Sequence, residues 1–264
     1  MKLGASTKCF GGMSVEETAV LYEGCGLSVC ELCFCQSDLE GWRYNYCGRS
    51  ALPTSRDVLG AIAAFREQGV EVVAIGAYNC FWSEGNSGLS DSLSQFCEYL
   101  ELARDCNVPT VATHTGTLIR SPLSEKSREL LLEGFTDACI EAAKRNITVS
   151  VETTMHDVVT SYSEFLKLCE CVKDFVGRSD MLKFTACPST DEDGVPISDI
   201  ALCHLKDVKK GGKFYERPGD GDFDFASSLE RLDKGNVPLI LECVNVGNVG
   251  GTASAMQNTK SKIN

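Results

Sequence analysis

Residues 200–242 read IALCHLKDVKKGGKFYERPGDGDFDFASSLERLDKGNVPLILE. The stretch opens on an apolar run, Ile200–Lys206, crosses a polar, glycine-rich loop and a segment of helical spacing, and closes on a second apolar run, Val237–Glu242. Two short apolar runs separated by a helix-length segment mark a β-loop-α-β unit, the building block of a parallel sheet. The first run ends on His204 and Lys206, the second on Glu242.

Outward from there the pattern repeats. Runs at Lys2–Ser6, Ser28–Phe34, Val70–Gly76, Val108–His114, Ile147–Glu152 and Met181–Ala186 bring the expected strands to eight. Over 264 residues that is about 33 residues per unit, which suits a single (β/α)8 TIM barrel of the α/β class with few insertions. Thr54 or Ser55 caps a helix with Leu59, Ile62, Ala63 and Phe65 on or near one face and Gly69 at its end. Leu93, Phe96, Cys97, Leu100 and Ala103 repeat the spacing, as do Phe165, Leu168, Cys169, Val172 and Phe175. Only CPSTDEDGVPISD separates strands 6 and 7, which predicts a reduced crossover there. The tail 248–264 reads as weakly amphipathic and prone to fraying. No linker or low-complexity tract divides the chain, so residues 1–264 read as one barrel domain.

The charge balance, 25 Lys+Arg against 37 Asp+Glu, is net −12. Such a surface lacks the basic footprint that displaces counterions from phosphates, and argues against nucleic acid or an anionic membrane as partner. No run of about 18 apolar residues is present, and MKLGASTKCFGG lacks the apolar core of a signal peptide, so a cytoplasmic location is expected. There the 15 cysteines serve as small packing residues instead of a disulfide framework. Cys30 and Cys33 have CxxC spacing but fall inside an expected strand, the wrong setting for a redox or zinc motif. Assembly into a homo-oligomer is left open.

Barrel chemistry gathers at the C-terminal ends of the strands. Four such ends are titratable: His114, Glu152, His204 and Glu242. Glu152, His204 and Glu242 are either separate polar groups at a wet rim or a converging set that binds a divalent cation and moves a proton beside a carbonyl. Lys206 shares the parity of His204 and either meets a substrate oxygen or, as expected here, neutralises Glu31 on strand 2. The loops after strands 2 and 3 offer Trp42, Arg43, Tyr44 and Tyr46, then Tyr78, Phe81 and Trp82. Aromatic faces and guanidinium groups suit a polyol or sugar phosphate, although loops packed on one another explain them equally well. Gly247, Gly250 and Gly251 could turn backbone N–H groups toward a phosphate.

His-x-Lys-Asp at 204–207, Gly-x-Gly-Asp-x-Asp-Phe at 219–225 and the strand closing on Glu242 resemble the sugar phosphate isomerase/epimerases, the xylose isomerase-like TIM barrels. The likeness is specific in this last quarter and extends over the chain at the level of βα order. It implies that Glu152, His204 and Glu242 hold a divalent metal ion (Mn, Mg, Co or Zn) and that Glu152 and Glu242 form the acid/base pair, as in the family's ketose 3-epimerases. It makes Arg217, ahead of Pro218 and Gly219, a substrate contact; a surface pair with Glu216 or Asp220 is the alternative. Lys206, His114, Trp82 and Glu31 complete the expected substrate-binding set.

The chain departs from the family at strand 6, which ordinarily ends in Asp-Pro with a His three residues after the Asp. KFTACPST places Cys187 and Thr190 there. Cys187 is then either a thiolate ligand, shifting preference toward Zn²⁺, Co²⁺ or Fe²⁺, or, as expected here, a neutral packing residue. Lys183, roughly 13 Å deeper along the strand, is too far to stand in. With only His114, His156 and His204 in the chain, the multi-histidine, three-metal site of the endonuclease relatives is not expected. The implied activity is isomerisation or epimerisation of a keto-sugar or sugar phosphate, a small carbohydrate substrate. A lyase using the same carboxylates is the runner-up, and a non-catalytic sugar-binding barrel with a degenerate metal site the third reading.

Overall fold

Strand parity sorts the side chains of this chain between two apolar layers and one charged interior. The computed structural model describes residues 1–34, 54–78, 88–115, 125–153, 158–189, 194–212 and 214–261. Its strands are β1 (Leu3–Ser6), β2 (Val29–Cys33), β3 (Glu71–Gly76), β4 (Thr110–His114), β5 (Thr148–Glu152), β6 (Leu182–Ala186), β7 (Ile200–Leu205), the short β8 (Asp207–Val208) and β9 (Tyr215–Glu216), and β10 (Leu239–Leu241). Eight of them close into a parallel barrel in the order β1-β10-β7-β6-β5-β4-β3-β2, while β8 and β9 pair as an antiparallel ribbon. Each of the eight expected strands is present, within two residues of its expected bounds.

Along β5 and β7 the outward residues Val149, Val151, Cys203 and Leu205 join the layer beneath the helices. Ser150, Glu152, His204 and Lys206, at the alternate positions, turn inward. Val29, Ala74, Ala112, Leu202 and Ile240 form an apolar floor inside the barrel. Close approach near the top of β3 needs a glycine: a Cβ at Gly76 would overlap the Cys33 sulfur and crowd the Tyr78 ring.

The helices are α1 (Val15–Gly24), α2 (Ser55–Glu67), α3 (Gly88–Asp105), α4 (Glu125–Arg145), α5 (Tyr162–Val176), α6 (Ala226–Lys234) and α7 (Val249–Ser261). Reciprocal side-chain caps start α1 (Ser14 with Glu17) and α2 (Thr54 with Asp57), satisfying N–H groups that the first turn leaves without partners. Left-handed Gly177 ends α5. Three expectations shift. The buried face of α2 is Val58, Ala61 and Phe65; Leu59, one residue round the turn, is 50% exposed, and Ala63 is exposed too. Phe175 lies off the Phe165–Leu168–Val172 stripe of α5 and is 76% exposed. From Val249 to Ser261 the tail forms α7, docked through Val249, Thr252, Ala253 and Met256, a stripe of modest hydrophobicity at i, i+3, i+4 and i+7.

Between β6 and β7 the described residues contain a single 3-10 turn, Ile197–Asp199. Among the described residues no helix is long and apolar enough to cross a membrane.

Candidate active site

Among the described residues six charged side chains meet inside the mouth of the barrel: Glu31 from β2, Glu152 from β5, His204 and Lys206 from β7 and just beyond it, Glu242 from the end of β10, and Lys8 two residues past β1. All but Lys8 are buried, and Lys8 is only 13% exposed. The His204 ring spans the lumen. Its Nε2 lies 3.3 Å from Glu31 Oε1, and its Nδ1 lies 3.3 Å from Glu152 Oε2 and 3.6 Å from Glu242 Oε2. The Lys206 ammonium touches Glu152 Oε1, lies 3.2 Å from Glu242 Oε2 and sits 4.4 Å from the centre of the Tyr215 ring. The Lys8 ammonium touches Glu242 Oε1 and lies 4.4 Å from the centre of the Tyr78 ring.

Three acids thus face three bases in a space of low dielectric, where each charge persists because the others are there. Burial opposes charge on His204, but Glu242, Glu152 and Glu31 outweigh it and push the imidazole up to about 10. Burial likewise opposes ionised Glu242, yet His204, Lys8 and Lys206 draw it down to about 2. Glu152 is held well below the usual carboxylate range against its burial, chiefly by Lys206 and His204. Burial and the neighbouring Glu31 push the Tyr78 phenol up, so it stays protonated and donates to Glu31 Oε1.

The expected partner of Lys206 is corrected here. Lys206 does not neutralise Glu31; His204 does, with Tyr78 donating a hydrogen bond to the same carboxylate. The strand order explains it, because β10 adjoins β7 and β5 lies two strands away, whereas β2 lies three away. The Lys206 stem reaches the nearer carboxylates first.

Half-buried His114 at the end of β4 stacks on Tyr78 at 5.8 Å. Desolvation lowers its pKa to about 4, with Lys8 and Lys206 adding to the effect against Glu152. The unfolded chain takes up this proton below about 6.5, the folded chain only near 4, so the unfolded state binds more protons between those values. Stability is therefore expected to fall as pH drops through that window. An NMR titration should find the His114 ring neutral at pH 5.5; a midpoint near 6.5 would contradict its placement.

Asp207, beside the cluster in sequence, has another task. Its Oδ2 accepts the N–H groups of Gly219 and Gly221 at 3.0 Å each, and its Oδ1 those of Val208 at 2.8 Å and Phe223 at 3.2 Å. The His-x-Lys-Asp and Gly-x-Gly-Asp-x-Asp-Phe segments are therefore one object, a carboxylate clamped on a glycine-rich turn. A Cβ at Gly221 would overlap that carboxyl group. Arg217 on this turn forks onto Asp220 at 2.6 and 2.8 Å and reaches Thr252 Oγ1 at 3.1 Å. Its side chain is 32% exposed, and pairs of that kind contribute about 0–1 kcal/mol. Arg217→Ala should leave the melting temperature within roughly 3 °C of the parent; a larger drop in a thermal melt would show a structural role beyond this pair.

A family profile described as Xylose isomerase-like TIM barrel matches residues 25–262. The chain belongs to that family. No curated protein sequence matches it significantly. Among solved structures, this xylose isomerase-like barrel is similar to a D-psicose 3-epimerase with D-tagatose from Clostridium cellulolyticum H10 (10% identity, 100% of this chain and 99% of that one, TM-score 0.71). It is also similar to an L-ribulose 3-epimerase (13%, 99% and 96%, TM-score 0.68) and to an IolI protein with a binding zinc atom (15%, 99% and 99%, TM-score 0.69). At these identities the likeness is one of fold.

The donor set of this family member fits a divalent cation. One ligand atom each of Glu152, Cys187 and His204, all buried, lie within 4.8 Å of one another, and Glu242 joins from the His204 side. Nδ1 of His204 and both carboxylate oxygens of Glu242 are buried without a hydrogen bond, even though charged groups lie at ion-pair distance. Cys187 Sγ lies 3.6 Å from Glu152 Oε1. Lys183, by contrast, bonds the Ser198 carbonyl at 2.8 Å, away from the donors.

Of the expected contacts, Glu31, Glu152, Cys187, His204, Lys206 and Glu242 come together, His114 borders them through Tyr78, and Arg217 is engaged with Asp220. Trp42, Arg43, Tyr44, Tyr46, Phe81, Trp82, His156 and Thr190 lie outside the described residues. The N–H of Gly247 is taken by Asn245 Oδ1 at 2.9 Å, while Gly250 and Gly251 belong to α7. Lys8 and Tyr215 were not singled out from sequence; Lys8 lies in a 3-10 turn, Thr7–Cys9, that directly follows β1, where strand parity gives no signal.

Proposed function

We propose that the chain is an isomerase or epimerase of a keto-sugar or sugar phosphate, acting by metal-assisted abstraction and return of a proton next to the carbonyl. One observation carries the reading: two carboxylates from separate strands, Glu152 and Glu242, approach the same His204 nitrogen and remain ionised in a buried mouth. Glu152, Cys187, His204 and Glu242 would hold the ion, which supplies Lewis-acid polarisation of a bound carbonyl. Glu152 and Glu242 exchange the proton, one removing it and the other returning it to the opposite face for an epimerisation.

With His204, Lys8 and Lys206 around it, Glu242 is held near 2, too acidic to be an effective base at neutral pH. Drawing the Lys8 and Lys206 ammonium groups toward the substrate oxygens would make Glu242 more basic and place them where they stabilise the developing enediolate. Tyr78 keeps Glu31 in place beneath His204, and Glu31 in turn fixes the ring through Nε2. The epimerase neighbours and the zinc-bearing neighbour support this reading at the level of family and fold.

Incubation with a panel of ketoses and ketose phosphates in deuterated water, with added Mn²⁺ or Co²⁺, tests it. Deuterium should enter at a carbon next to the carbonyl; no exchange with any member would remove the proposal. The position of Cys187 Sγ among the donors favours a thiolate ligand. Co²⁺ should then give a sulfur-to-metal charge-transfer band that Cys187→Ser abolishes, while Cys187→Asp should shift preference toward Mn²⁺. A spectrum unchanged by Cys187→Ser would return this cysteine to packing.

A further inference from the structure

The donors proposed for an ion are already serving a cation that belongs to the chain. The Lys206 ammonium touches Glu152 Oε1, the oxygen 3.6 Å from Cys187 Sγ, and lies 3.2 Å from Glu242 Oε2, the oxygen that faces His204 Nδ1. Its carbon stem is fully buried and its charge is backed by the Tyr215 ring. A side chain so placed lies among Glu152, Cys187, His204 and Glu242, the residues that would hold a divalent ion. We propose that Lys206 is an internal counter-ion of the Glu152–Glu242 pair and that its contacts and a divalent ion exclude one another, so that loading the site displaces this ammonium. Lys8 has a lesser part, because among the described residues the one carboxylate it touches is that of Glu242, and it is the more exposed of the two lysines.

The inference rests on the metal reading above and explains how one buried site holds together without an ion. Like charges at about 4 Å repel strongly in a medium of low dielectric. With Lys206 in place, an incoming ion meets both that repulsion and carboxylates already neutralised. Ion affinity in this chain is then set by displacement of Lys206 as well as by the ligands.

The test is a Mn²⁺ titration of the chelator-stripped full chain, with free Mn²⁺ read by electron paramagnetic resonance. Mn²⁺ is chosen because the thiols of this cysteine-rich chain bind it weakly. Lys206→Met, which keeps the stem and removes the charge, should bind Mn²⁺ at least tenfold more tightly than the parent, and Lys8→Met should show a smaller gain. Lys206→Arg, which keeps the charge, should show no gain. Equal affinity in the parent and Lys206→Met would overturn the exclusion while leaving the metal site standing. No binding by the parent or Lys206→Met, with Co²⁺ as well as Mn²⁺, would overturn the metal reading and the inference with it.

If Lys206→Met does not fold, the parent labelled with ¹⁵N-lysine gives a second readout. A protected ammonium resonance, assigned by its loss in Lys206→Arg, should disappear or move on addition of diamagnetic Mg²⁺ or Zn²⁺. A resonance that stays unmoved at saturating ion would also overturn the proposal.

Discussion

Glu152→Gln and Glu242→Gln are each expected to slow isomer interconversion by about 10²–10⁴-fold, the range that a positioned acid or base supplies. The two losses should differ in kind. If the carboxylates serve opposite faces of the bound ketose, one variant still exchanges the substrate proton with solvent from its remaining face, although neither completes an epimerisation. Deuterium incorporation followed alongside product formation reads both. Each variant also removes one anion from a set of six charges, and breaking a buried pair in this way costs about 3–5 kcal/mol. Thermal melts should therefore accompany the rates, so that lost chemistry is not confused with lost fold. Full activity in both variants would take the pair out of the mechanism.

Asp207→Ala should produce a large stability loss although it lies outside the charged cluster. Its carboxylate accepts four backbone N–H groups, two on each oxygen. Leaving buried or half-buried donors without acceptors costs about 1–3 kcal/mol each, with partial recovery where the loop meets water. A net loss of about 3 kcal/mol is expected, roughly 6–12 °C in melting temperature for a chain of this size. Asp207→Asn, which keeps one acceptor oxygen, should fall between the parent and the alanine variant. A melt within a degree or two for Asp207→Ala would show that the turn at 219–223 is held by something else.

Much of the barrel was legible because β-branched runs at regular spacing have few other outcomes. His204, Glu152 and Glu242 were legible for a related reason, each being the titratable residue on which an apolar strand runs out. Side-chain partnerships were less so. Parity put Lys206 in the mouth, but parity names a face and not a wall, and only the strand order shows that Glu152 and Glu242 intercept the ammonium before Glu31. Lys8 escaped notice because it sits in the 3-10 turn Thr7–Cys9 just past β1, where the strand alternation has already ended. Asp207 was visible as part of a motif, yet its role as a clamp depends on backbone amides, which carry no sequence signal of their own. The α7 stripe of Val249, Thr252, Ala253 and Met256 is too weakly apolar to stand out in the chain, and only the surface that receives it makes it sufficient.

Three acids and three bases enclosed together also constrain how this site can diverge. A single neutral replacement leaves a unit charge stranded away from water, so a lineage passing through that state loses stability before it gains a new activity. Departures should therefore occur as coordinated exchanges, Lys8 with Glu242 and Lys206 with Glu152, since these are the couples in contact. Asp207 answers to amide groups that every residue except proline provides, and its presence should persist while the side chains between 209 and 218 change around it. The rim of this barrel is thus open to drift one residue at a time, and its interior only two at a time.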